Sequence, residues 1–88
     1  MAISKVFWAH HPVDEVLSAL QENGLVIFAD TKTGFNNFYK EKLIPVLSDE
    51  AIRQDYTNHP TEGYFYFLYD SNVYSREQAI KIILKFRF

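Results

Sequence analysis

The run Gly63-Tyr64-Phe65-Tyr66-Phe67-Leu68-Tyr69-Asp70 constrains the fold more than any other part of this chain. Six consecutive aromatic or aliphatic residues between a glycine and an aspartate have the length and composition of a strand. Side chains alternate along a strand, so Phe65, Phe67 and Tyr69 point one way and Tyr64, Tyr66 and Leu68 the other. With the phenylalanine pair facing the core, Tyr64 and Tyr66 stand on the opposite face. That face is either covered by another element or is a binding platform, and the choice decides how the chain works.

The elements before this run follow from spacing. Lys5-Val6-Phe7-Trp8-Ala9-His10 has the composition of a first strand. Pro12 stands at a first helical position, and Val13, Val16, Leu17 and Leu20 form one apolar stripe behind it. Asp14 and Glu15 in the first turn suit the helix dipole, and Asn23-Gly24 supplies a left-handed stop. Leu25-Val26-Ile27-Phe28-Ala29 is too short for a helix and predicts a buried strand. Asp30 to Gly34 is turn chemistry. Phe35 to Tyr39 fits either a returning hairpin strand or a helix start.

From Lys40 to Tyr56 the pattern predicts a broken helix. Leu43, Ile44 and Leu47 form its apolar patch, Pro45 interrupts it, and Ser48 to Ala51 offers a fresh N-cap before an inward Ile52. Tyr56 to Glu62 reads as a polar loop. After the aromatic strand, Ser75-Arg76-Glu77-Gln78 is a capping box ahead of Ala79, Ile80, Ile83 and Leu84 at helical spacing. Residues 82–88 also alternate, so the tail is either a helix continuing to about Lys85 or a short helix and a terminal strand.

A chain of 88 residues holds one domain and one core. The 17% aromatic content enlarges what so small a core can bury. Without cysteine, neither a disulfide frame nor a thiolate metal site can form. No apolar stretch approaches the length of a membrane span, and Met1 to Lys5 leads into a strand-like run, so the expectation is a soluble cytoplasmic protein. The net charge of −2 is uneven: residues 76–88 carry four cations against one anion, a net +3, and the rest holds −5. Nucleic-acid binders usually show a clear basic excess, and the body of this chain lacks one. Cations at the end of a last helix complement its dipole.

The order strand, helix, strand, inserted helix, strand, helix and a possible terminal strand predicts an α+β domain of the ferredoxin-like (split βαβ) kind. Its sheet would have three to four strands, with helices on one face and an extra helical insert between the second and third strands. Within that frame, Lys5 to Trp8, the helix from Val13 to Gly24, the aromatic strand and the helix after Ser75 resemble an RNA recognition motif. Gly63, Tyr64, Tyr66 and Tyr69 fall in register with that family's third-strand signature. The resemblance implies stacking of bases on Tyr64 and Tyr66, with Phe7 beside them. Glu62 stands where the family has a basic residue, and Phe65 where it has glycine or alanine. His10-His11 replaces the family's Asn-Leu, and the 28 residues from Phe35 to Glu62 exceed its usual hairpin.

Other chemistry has weaker support. His10, His11 and His59 include two neighbours that a strand would send to opposite faces, so no metal site is expected. Asp30 and Asp70 both follow strands; antiparallel pairing of those strands places them at opposite ends, and both are ordinary turn openers. There is no glycine-rich phosphate loop or nucleophile elbow, and the chain is read as a non-enzyme without cofactor. The expectation is a small protein-binding module: an inhibitor, an adaptor or a homodimer subunit, acting through an aromatic sheet face or edge. Its candidate contact residues are Phe7, Tyr64, Tyr66, Phe38, Tyr39, Lys85 and Arg87. The partner is another protein or a second copy, with no role for a membrane. The alternative is single-stranded RNA or DNA stacked on Phe7, Tyr64 and Tyr66.

Overall fold

A computed structural model of the chain describes residues 6–47, 50–61 and 63–86. The element order is β1 (Val6–Phe7), α1 (Val13–Asn23), β2 (Leu25–Phe28), α2 (Lys32–Phe38), β3 (Ile52–His59), β4 (Gly63–Asp70) and α3 (Arg76–Lys85), with α2 running on into a π-helical turn at Tyr39–Leu43. None of these helices is long and apolar enough to cross a membrane.

The caps form largely where the sequence puts them. Pro12 sits at the N-cap of α1, one position before the expected one, and Gly24 closes the helix at φ +73° with its N–H donating to the Leu20 carbonyl at 2.7 Å. The Ser75 hydroxyl accepts from the Gln78 N–H at 3.2 Å, while the Gln78 side chain accepts from the Ser75 N–H at 2.9 Å. Phe35 to Tyr39 is helical: Thr31 caps α2 by accepting the Gly34 N–H at 3.0 Å. The π turn then widens the spiral, with the Ile44 N–H reaching back to the Tyr39 carbonyl at 2.8 Å. An extra residue per turn lets Phe38 and Leu43, five apart, both enter the core. Ile44 is left outside, and Pro45 keeps the helix from continuing.

The four strands lie in the order β1-β2-β4-β3. β1 is parallel to β2, β2 antiparallel to β4, and β3 and β4 form an antiparallel hairpin. The fold is therefore α+β with a mixed four-stranded sheet and three helices. A split βαβ unit would place another strand between β1 and β2; here they are direct neighbours, so the order departs from the ferredoxin-like one.

Helices cover both faces of the sheet, not one. Phe7, Val26, Phe28, Tyr66 and Leu68 pack with Val16 and Leu20 of α1 and with Phe35, Phe38 and Leu43 of the second helical stretch. Leu25, Ile27, Phe65, Phe67 and Tyr69 pack with Ala79 and Ile83 of α3 on the other side. The cause is in β2 and β4. Both are apolar on both faces, as strands of a doubly covered sheet are. Leaving either face wet would forfeit about 1.5–3 kcal/mol for each large side chain exposed.

The segment expected to be a second helical piece and a polar loop is instead strand β3. From Asp55 to Asn58 its residues alternate between partial cover and solvent, Arg53 and Gln54 are both exposed, and the ladder to β4 rather than a hydrophobic stripe holds it in place. The proposed N-cap at Ser48 and Asp49 lies outside the described residues. The tail is helical to Lys85, as one of the two expectations had it, and Phe86 leaves the helix in an extended conformation. Asp30 and Asp70 occupy opposite ends of the antiparallel β2–β4 pair.

Candidate functional site

Burial along one face of β4 falls in steps, from Leu68 fully enclosed, through Tyr66 at 9% exposure, to Tyr64 at 58%. The first two lie under α1 and α2, and Tyr64 lies beyond their reach. Tyr56 of β3, directly opposite Tyr66 in the ladder, is 53% exposed on the same face. The Tyr56 ring centroid lies 5.8 Å from that of Tyr64 and 6.3 Å from that of Tyr66, both at tilted angles. With Lys32, the first residue of α2, the three tyrosines line a cleft of about 390 Å³. Tyr66 forms its fixed floor, because its ring stacks on Phe35 at 4.8 Å and 11°. Phe35 is held in turn edge-on to Phe28 at 5.0 Å.

The expected contact residues divide sharply. Tyr64 is at the surface, and Tyr66 is a nearly buried wall of the cleft. Phe7, at 1% exposure, packs against Phe28 and under α1, so it belongs to the interior and cannot stand beside the tyrosines as a platform. Phe38 is likewise core. Tyr39 is half-buried against Phe35, with centroids 6.0 Å apart. Lys85 is exposed at the end of α3, the helix on the opposite side of the sheet. Arg87 lies outside the described residues. Phe7, Tyr64 and Tyr66 therefore do not make one open stacking surface: helices cover two of the three.

Two cleft residues were not among the expected contacts. The sequence pattern places Tyr56 where the broken helix ends and the polar loop begins, although Tyr56-Thr57 has strong strand preference and pairs well with an aromatic strand. Lys32 falls within the turn expected from Asp30 to Gly34, and only the start of α2 carries it to the cleft.

On the other face of β3, Asp55 forms an ion pair with Arg76 of α3. The hydrogen bond from Arg76, and then the Asp55 charge itself, raise the guanidinium pKa above its ordinary value. The Asp55 Oδ1 also accepts the Tyr56 N–H at 2.8 Å. One carboxylate thus fastens β3 to α3 and closes one N–H of the sheet edge.

The remaining polar candidates do structural work. Asp30 accepts the Ala9 and Thr31 N–H groups, each at 2.7 Å, and Asp70 accepts the Asn72 N–H at 2.9 Å. His10 and His11 are not in β1 but follow it. They stack with Trp8 at centroid distances of 5.8 and 5.2 Å, and the Trp8 N–H donates to His11 Nδ1 at 2.9 Å. Among the described residues no three histidine or carboxylate side chains gather as metal ligands would.

No family model matches the chain, and neither does any curated protein or solved structure.

Proposed function

We propose that this protein is a small, non-enzymatic partner-binding module whose contact surface is the tyrosine cleft toward the turn end of the β3–β4 hairpin, together with the adjoining sheet edge. One observation carries the reading. Tyr56 and Tyr64 are both more than half exposed beside each other, at the uncovered β3 margin of a sheet face on which Phe7, Val26, Phe28, Tyr66 and Leu68 are buried. Tyrosine supplies large contact area with little side-chain freedom to lose, which is why it is enriched at protein interfaces. Tyr66, locked against Phe35, gives the surface a rigid base. The proposal sets the module in the cytoplasm, a setting compatible with the absence of cysteine.

The test is capture of a stoichiometric partner, compared with capture by the doubly substituted Tyr56→Ala, Tyr64→Ala protein. Both side chains are largely solvent-facing, so the variant keeps its fold by circular dichroism. Loss of the partner with the fold intact supports the reading; undiminished capture overturns it.

Lys32 at the cleft mouth favours a second reading. A cation beside two exposed rings is the minimal equipment for holding a single-stranded nucleic acid, with stacking worth about 1–3 kcal/mol per base. That version of the RNA recognition motif resemblance uses Tyr56, Tyr64 and Lys32 in place of Phe7 and Tyr66. Salt-sensitive binding of a labelled single-stranded RNA, lost in Tyr64→Ala, supports it; no binding at low salt removes it.

A further inference from the structure

We infer that the partner at the sheet edge is a second copy of this chain, joined through antiparallel pairing of β3 with β3 about a two-fold axis at Gln54. This deepens the partner-binding reading, on which it rests, by naming one partner and its register.

β3 is an outermost strand of the sheet, and no described strand pairs with its outer side. The ladder fixes which of its groups point outward. The Ala51 carbonyl accepts the Ser71 N–H at 3.0 Å, so residues 51 and 71 form a hydrogen-bonded pair. Bonding alternates along an antiparallel pair, and Arg53, Asp55 and Thr57 therefore turn their backbone groups toward β4. Ile52, Gln54, Tyr56 and Asn58 turn theirs outward. The Tyr56 N–H agrees with that count, since it meets its own neighbour Asp55 and not β4. An edge of eight residues in this state is a template for a further strand.

Side-chain chemistry selects the register. With the axis at Arg53 or at Asp55, that residue would face its own copy, and like charges directly opposite each other are destabilising. With the axis at Tyr56, Arg53 would face His59 and Asp55 would face Thr57, and no ion pair forms. With the axis at Gln54, Arg53 of each copy faces Asp55 of the other. On the opposite face, Tyr56 of each copy faces Ile52, an aromatic–β-branched pair of the kind that stabilises sheets. Each complementary pair occurs twice.

The same register explains how the isolated edge is closed. In the single chain, Asp55 accepts the Tyr56 N–H, and Arg53 makes a long 3.5 Å contact to the Ile52 carbonyl. Across the proposed seam, the Tyr56 N–H and the Ile52 carbonyl of the other copy are partners. Pairing would release the Asp55 Oδ1 and the Arg53 guanidinium from these backbone groups at the point where they meet each other, with the Asp55 Oδ2 keeping its contact to Arg76.

The chain contains no cysteine, so a single introduced thiol reports the register directly. In this seam Gln54 opposes itself as a hydrogen-bonded pair, with Cα atoms about 5.5 Å apart, within disulfide reach. Two copies of Asn58 would lie roughly 27 Å apart along the strands. The full-length Gln54→Cys protein is expected to form a covalent dimer under mild oxidation, and Asn58→Cys to stay uncrosslinked. Sedimentation of the unsubstituted protein should show twice 10.4 kDa. Arg53→Glu, an exposed change that sets two acidic groups opposite each other, should return it to a folded single chain.

A single-chain mass at every concentration up to millimolar, a Gln54→Cys protein that does not crosslink, or equal crosslinking at Asn58 overturns the proposal. So does a dimer that survives Arg53→Glu. Tyr64 lies outside the seam, so Tyr64→Ala should leave the dimer intact. A monomer that still captures a partner through Tyr64 would sink the dimer and leave the cleft reading standing. A protein that neither pairs nor captures anything would remove both.

Discussion

Tyr66 lies flat on Phe35, the two rings 4.8 Å apart at their centroids and 11° from parallel. Two residues along the same face of the same strand, Tyr64 has no helix above it. Identical side chains thus serve opposite ends: one closes the core and the other meets solvent.

The two tyrosines should therefore separate in mutagenesis. Tyr66→Ala removes a ring packed among Phe28, Phe35 and Leu68 and should lower unfolding free energy by about 3 kcal/mol, as large-to-small core changes do. Tyr64→Ala should change it by no more than about 0.5 kcal/mol, the usual range for a surface site, while weakening partner binding. Urea unfolding of both variants checks the contrast. Equal effects on stability would mean that Tyr64 is covered after all.

Much of the fold was legible because local chemistry and tertiary context agree. The stripe of α1 with its Gly24 stop, the apolar strand β2, the alternation of β4 and the box at Ser75 each carry a signal that packing reinforces. Strand β3 did not show itself. Its outward residues Gln54, Tyr56 and Asn58 belong to an edge no helix covers, so they lack the apolar alternation that marks a half-buried strand. The covered state of Tyr66 and Phe7 was equally hidden, because it depends on where α1 and α2 come to rest. The two-sided cover had a clue that the one-sided expectation did not use: β4 is apolar on both faces, and helices over Phe65, Phe67 and Tyr69 alone would leave Tyr66 and Leu68 exposed.

The two positive-φ glycines should respond differently to a methyl group. At Gly24, alanine meets both the unfavourable φ of +73° and side-chain atoms of Val73 at 3.1 Å and Tyr74 at 3.2 Å. Gly24→Ala should cost about 2 kcal/mol or more, with a left-handed residue alone accounting for roughly 1–2 kcal/mol. At Gly63 the φ of +96° is also unfavourable, but nothing lies within 4 Å of the added carbon. Gly63→Ala should keep only the backbone part. Thermal unfolding of the pair measures the difference, and a Gly24→Ala protein as stable as Gly63→Ala would show that Val73 and Tyr74 yield freely.

Ser75 and Gln78 satisfy each other's backbone donors at the start of α3, which among the described helices is the one that packs on the second face of the sheet, flanked there by Tyr74 and Phe86. Ser75→Ala should cost about 1 kcal/mol, the usual value of an N-cap. Loss of the cap should be felt first as faster hydrogen exchange in the Arg76–Ala79 turn. Unchanged protection there would mean that packing of Ala79 and Ile83 holds the helix start without it.

His59 ends β3 with its ring against Phe65, centroids 5.4 Å apart, and its Nδ1 accepts the Thr61 N–H at 3.3 Å. An Nδ1 that accepts leaves the neutral ring's proton on Nε2, which is buried without a hydrogen-bond partner among the described residues. A buried donor left unpaired costs about 1–3 kcal/mol. Phenylalanine keeps the contact with Phe65 and removes the stranded donor; the Thr61 N–H it releases is on an exposed turn and can turn to water. His59→Phe should therefore raise unfolding free energy by about 1 kcal/mol, whereas His59→Ala should lower it by emptying the space beside Phe65. Guanidinium unfolding distinguishes them. A His59→Phe protein weaker than the original would show that Nε2 has a partner, and that the hairpin end depends on it.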